Sequence, residues 1–96
     1  MIKSFLDDTT AALYHGRTNA KARRIPADLR RVIVRKLDAI DGAQALDDLR
    51  VPPGNRLEVL KGDRAGYHSI RVNDQWRIIF RWDGADAHDV GLIDYH

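Results

Sequence analysis

The sequence predicts an α+β fold, with two N-terminal helices packed on one face of a twisted antiparallel sheet of about four to five strands. Three observations predict it. Before the loop signal "VPPGN" (51–55) the apolar residues recur at helical spacing. After it they alternate with a period of two. The second half is also cut by short turn signals, at Asn73-Asp74 and in "DGAD" (83–86), and strands joined that closely run antiparallel. The helices of the first half must then cover the apolar side of that sheet.

Taken in order, "IKSF" (2–5) is a short strand candidate. Asp7 or Asp8 can cap a short helix through "TTAALYH", and Gly16 can end it. Pro26 suits the first turn of a second helix. Within "PADLRRVIVRKLDAIDG" the residues Leu29, Val32, Ile33, Leu37 and Ile40 form one apolar face, Arg31 and Arg35 fall opposite, and Gly42 can stop the helix. "QALDDLR" reads as a partly helical connector.

Beyond the loop, "RLEVLKG" reads as a strand. "GYHSIRVN" is a second, with His68, Ile70 and Val72 on one face and Tyr67, Ser69 and Arg71 on the other. Asn73-Asp74 is a tight hairpin turn. "QWRIIFRW" follows, with Trp76, Ile78, Phe80 and Trp82 on one face and Arg77, Ile79 and Arg81 on the other. "AHDVGLIDYH" is the last strand. The helices cover the apolar face, which leaves the arginine-bearing face partly open.

The composition narrows the function. Ninety-six residues, with 44% hydrophobic, suit a single domain over 1–96. The chain has no cysteine, which excludes a disulfide scaffold, a thiolate nucleophile and a cysteine zinc site. "MIKSFLDDTT" lacks the apolar segment of a secretory signal, and no apolar run is long enough to span a membrane. A cytoplasmic protein is expected.

The net charge is only +2, but it is unevenly placed. Between Arg17 and Lys36 stand eight basic residues (Arg17, Lys21, Arg23, Arg24, Arg30, Arg31, Arg35, Lys36) against one acid, Asp28. Such a run is either a solvated helix face or a surface for a polyanion or acidic partner.

One chemistry these residues can perform is cleavage of an RNA phosphodiester by the substrate's own 2′-hydroxyl. It requires a base, a cation for the charge developing on phosphorus, and an acid for the leaving oxygen. Lys61, Arg71 and Arg77 can offset phosphate charge. Glu58, Asp94, Tyr95 and His96 can move protons. Tyr67, Trp76 or Tyr95 can stack a base, although Trp76 alternates with Ile78 and Phe80 and reads as core before it reads as a stacking platform. Lys61, before Gly62-Asp63, is either a turn lysine or a site cation. A metal is not expected: His88, Asp94 and His96 would spread over about 27 Å of one strand. No cofactor is implied.

The ordered block "LKGDR" (60–64), "SI-VN" and "QWRI-F" (75–80), followed by "DYH" (94–96), resembles the HigB toxins, a branch of the RelE/ParE superfamily of type II toxin–antitoxin systems. The likeness extends back through "RRIPADLRRVIVRKLDAI" and "IKSF". It implies a RelE-like fold and a metal-independent endoribonuclease that cuts mRNA in the ribosomal A site. It also implies a helix-turn-helix antitoxin, HigA, through which alone the toxin would reach operator DNA. The family's functional lysine falls on Lys61, its arginine on Arg77, and its terminal acid, tyrosine and histidine on Asp94, Tyr95 and His96. Some members carry a histidine where this chain has Glu58, and a solvated carboxylate is a weak base. Proton transfer is therefore expected mainly from His96, with Asp94 orienting it.

Ribosomal RNA would meet Arg17, Lys21, Arg23, Arg24, Arg31 and Arg35, with Arg71 and Arg81 from the strands; the helical run could equally meet the antitoxin. Two other readings stay open: a gyrase-binding toxin like ParE, and an inactive remnant that only binds antitoxin.

Overall fold

The computed structural model describes residues 1–94; Tyr95 and His96 lie outside the described residues. Three helices pack against a four-stranded antiparallel sheet of order β1-β2-β3-β4. The helices are α1 (Asp8–Tyr14), α2 (Ala20–Arg23) and α3 (Ala27–Gly42). The strands are β1 (Glu58–Val59), β2 (His68–Arg71), β3 (Trp76–Asp83) and β4 (Asp86–Asp94).

Asp7 caps α1 by accepting from the Thr10 N–H at 2.7 Å, and Gly16, at φ 71°, lets the chain turn away. The one-turn α2 was not predicted. It exists because Asn19 caps it, accepting from Ala22 N–H at 2.8 Å, and because Arg30 of α3 donates to the Ile25 and Ala22 carbonyls near its C-terminal end. On α3 the expected face is the buried one. Ile33, Leu37 and Ile40 are fully enclosed, with Leu29 and Val32 packed at the margin. They meet Ile70, Ile78, Phe80, Ala87 and Val90 of the sheet. Each large apolar side chain so buried contributes about 1.5–3 kcal/mol.

The sheet departs from expectation in three places. "IKSF" does not form a regular strand; it makes two isolated parallel bridges to the edge of β4, Ile2 with Ala87 and Phe5 with Val90. The reason is a bulge. Ile79 pairs with Gly91 but Arg81 pairs with His88, so β4 carries one extra residue between them. Asp89 takes φ 51° there, and Ser4 Oγ accepts its N–H at 2.8 Å. The bulge reverses the alternation, which is how Ala87 and Val90, three residues apart, are both buried.

The strand expected over 56–62 shrinks to Glu58–Val59. Arg56 enters it from a left-handed conformation (φ 47°), and Gly62 (φ 66°) leads out into a 3-10 turn over Gly62–Arg64. The β2–β3 hairpin closes through three residues rather than two. Asn73 folds its side chain back to accept from both Gln75 N–H and Trp76 N–H, at 2.9 and 2.8 Å. The connector over Leu46–Arg50 is a 3-10 helix, in line with the partly helical reading. No helix is long and apolar enough to cross a membrane among the described residues.

Candidate active site

Strand alternation places Glu58, Ser69, Arg71 and Arg77 on the sheet face turned away from α3. Arg77 is the unusual member. It lies mid-sheet, between Arg71 on β2 and Ile93 on β4, and its side chain is only 10% exposed. A buried guanidinium is costly unless its N–H groups are satisfied. Here Nη1 donates to Ser69 Oγ at 2.8 Å and to the Arg56 carbonyl at 3.5 Å, while Nη2 reaches Glu58 Oε1 at 3.3 Å. Ser69 is itself fully buried, so its hydroxyl is a fixed acceptor.

Arg77 opens into a small cleft of about 170 Å3, whose other walls are Arg56, Arg71, Asn73 and Asp74. Three arginines share this cleft with one acid, Asp74, which pairs with Arg71 at 2.5 Å. Glu58 adds a second carboxylate at the edge, half-exposed. Three guanidinium groups lining one cleft favour an anion, and their planar forks match phosphate oxygens.

The sequence did not single out Arg56 or Asn55, yet both shape this cleft. Asn55 is buried, donates to the Leu49 and Val51 carbonyls at 3.2 and 3.3 Å, and accepts from Lys36 Nζ of α3. That web fixes the residue before Arg56, whose carbonyl then faces Arg77. Burial, then the nearby Arg35 and Arg71 charges, hold the Lys36 ammonium below the ordinary lysine range. A sequence signal did exist: Asn-Arg directly after a Pro-Pro-Gly loop suits a left-handed residue at the loop exit.

The other candidates are distributed around this cleft. Lys61 lies just beyond β1 and lines a separate shallow depression with Leu60, Asp63 and Arg64. Arg81 lies near the opposite end of the face, its guanidinium 5.7 Å from the Tyr67 ring centroid and 4.0 Å from Asp89. Asp94 stands opposite Trp76 in the β3–β4 ladder, and its Oδ2 accepts from Gln75 Nε2 at 3.1 Å. The expectations for Tyr95 and His96 lie outside the described residues.

The basic run divides in two. Arg17, Arg23, Arg31 and Arg35 border a groove between the α1–α2 end and α3, floored by Leu13 and Val34. Lys21 and Arg24 instead face a second groove beside Trp76. Arg31 also pairs with Asp28. Among the described residues, no three His, Asp or Glu side chains group as metal ligands.

Residues 3–96 match the family described as RelE-like toxin of type II toxin-antitoxin system HigB. The chain belongs to the HigB-like toxins. Toxin HigB-1 of Vibrio cholerae serotype O1 is 53% identical over 60 residues, which is 62% of this chain and 63% of that relative's length. Endoribonuclease HigB of Proteus vulgaris is 38% identical over 97 residues, covering the full length of both. Among solved structures, YafQ from E. coli superposes with TM-score 0.59 at 15% identity, over 99% of this chain and 92% of that one. The YoeB/ParE toxin from Agrobacterium tumefaciens gives 0.53 at 22% identity, over 99% and 96%. Those two likenesses show the RelE-like α+β fold. A HigB-like toxin of a type II system has an antitoxin partner.

Proposed function

We propose that this HigB-like chain is an endoribonuclease that cleaves mRNA in the ribosomal A site, and that Arg77 carries the transition-state charge. The observation behind it is the satisfied, nearly buried Arg77 in a cleft with Arg56 and Arg71. A guanidinium held by Ser69 and Glu58 before substrate arrives needs no reorganisation when charge develops on phosphorus, and such preorganised donors give the largest catalytic effects. The full-length relative named Endoribonuclease HigB supports the same reading.

In this mechanism the substrate 2′-hydroxyl attacks the adjacent phosphorus and the 5′-oxygen leaves. Arg77, with Arg56 and Arg71 beside it, binds the non-bridging oxygens, and Lys61 adds charge from the neighbouring depression. Glu58 is engaged with Arg77, so its role is to hold the guanidinium in place. The protons then move through the terminal residues, His96 foremost, with Asp94 orienting and Tyr95 assisting. No step calls for a metal. Such a site depends on the ribosome to align the message, and free RNA is a poor substrate. Arg17, Arg23, Arg31 and Arg35 contact ribosomal RNA. The antitoxin is a helix-turn-helix protein of the HigA type, and the toxin acts in the cytoplasm.

Inducing the chain in a bacterial host tests this. Growth arrest should come with new mRNA ends in phase with codons, and Arg77→Ala should abolish both. Arrest with intact transcripts, together with inhibited supercoiling by gyrase, would instead favour a ParE-like activity.

A further inference from the structure

Four residues of β3 face the helices, and they are not equally enclosed. Ile78 and Phe80 are sealed in the core, whereas Trp76, at the start of the strand, is half-buried and borders an open groove of about 540 Å3. That size is within the range of small-ligand sites. Ile25, Pro26 and Leu92 line it as apolar walls with the indole, and Lys21 and Arg24 of the α2 segment line it as cations. Asp7 also lines the groove, but its carboxylate is occupied in capping α1.

Among the described residues, Lys21 and Arg24 form no ion pair, so the groove carries two positive charges against the one carboxylate of Asp7. Two unpaired cations beside a half-buried indole match a ligand with an aromatic face and an anionic group. An apolar side chain from another protein would fill the walls but pair with neither cation. A nucleotide satisfies all three groups, because any base can stack on an aromatic ring while cations track its phosphate.

The position of the groove gives it a role. The hairpin loop separates it from the Arg77 cleft: Asn73 lines the cleft, while Gln75 and Trp76 line the groove. Trp76 and Arg77 are successive strand residues and point to opposite faces. We propose that the groove is a nucleotide subsite, in which Trp76 stacks a base and Lys21 and Arg24 hold its phosphate, for the RNA strand whose neighbouring phosphate enters the Arg77 cleft. The role rests on the nuclease reading above; the binding chemistry stands on the groove alone. The strand crosses the hairpin loop, and the subsite fixes its direction.

The chain has two tryptophans, so Trp82→Phe leaves Trp76 as the sole indole reporter. Titrating that full-length protein with adenosine 5′-monophosphate should give saturable fluorescence quenching. Ribose 5-phosphate, which lacks the base, should not. Adding Lys21→Ala and Arg24→Ala should weaken binding at least about tenfold with the thermal melt unchanged. Absence of saturable quenching up to millimolar nucleotide, equal quenching by ribose 5-phosphate, or unchanged binding in the double-alanine protein would each overturn the subsite. Arg77→Ala should bind the nucleotide as before while losing cleavage. If it kept cleavage, the nuclease assignment would fall and the titration would still report on the groove.

Discussion

Arg77 and Ser69 are joined across the β2–β3 pair by a 2.8 Å hydrogen bond between a nearly buried guanidinium and a fully buried hydroxyl. They sit diagonally, since Ser69 pairs with Ile79 and Arg77 with Arg71. The bond is therefore a property of the strand register, and it aims the cation before any substrate binds.

Ser69→Ala removes that acceptor with little change of volume. Cleavage on ribosomes should fall about tenfold, and stability should drop by about 1 kcal/mol. Single-turnover rates and denaturant midpoints measure the two. An unchanged rate would mean that Ser69 is only a core residue.

Arg77→Lys keeps the charge and loses the fork. Lysine cannot reach Ser69 and Glu58 together while presenting two parallel donors to phosphate. The rate should fall nearly as far as for Arg77→Ala, on the order of 10²–10³-fold. A lysine variant close to wild type would show that charge alone suffices.

Glu58 separates two roles. As an anchor for Arg77 it should be replaceable by Gln with a loss of only a few-fold and no change in the shape of the pH–rate profile. Were Glu58 the general base, Glu58→Gln would abolish the acidic limb of that profile.

Asn55→Ala leaves the Leu49 and Val51 carbonyls and the Lys36 ammonium without their partner in a buried place. A loss of about 1–3 kcal/mol is expected, with a further loss of activity because the Arg56 carbonyl no longer faces Arg77. Denaturant unfolding together with a cleavage assay checks this, and Asn55→Asp should rescue neither, since it cannot donate.

His68 gives a pH dependence. Its ring lies 5.9 Å from Phe80, its Nδ1 is buried with no hydrogen-bond partner among the described residues, and burial holds its pKa below the usual imidazole value of 6.5. The unfolded chain therefore binds this proton more readily than the folded one. Stability is unaffected above the unfolded value and falls as pH drops below about 6.5 toward the lowered folded value. Melts at pH 7.5, 6.5 and 5.5 should show a decline that His68→Gln reduces.

Much of this was readable from the sequence. Alternation in "GYHSIRVN" and "QWRIIFRW" assigned the faces correctly, because successive strand residues point to opposite sides of the sheet; that Ser69, Arg77 and Ile79 on the second face are also buried did not follow from it. The apolar face of α3 followed from its spacing in the same way. What could not be read depends on contacts between distant segments. The bulge at Asp89 carries no glycine and is clamped by Ser4, 85 residues away. Asn55 and Arg56 matter only because Lys36 and Arg77 reach them. Lys21 and Arg24 leave the rest of the basic run because α2, a single turn, sets them three apart on one side.

The central claim is that the preset Arg77 cleft stabilises the cleaved phosphate. The most direct measurement is single-turnover cleavage of mRNA in a programmed ribosome complex, comparing wild type with Arg77→Ala at saturating toxin. The rate should fall on the order of 10²–10³-fold while ribosome binding is retained. An Arg77→Ala protein that binds the ribosome and cuts the message at the wild-type rate would contradict it.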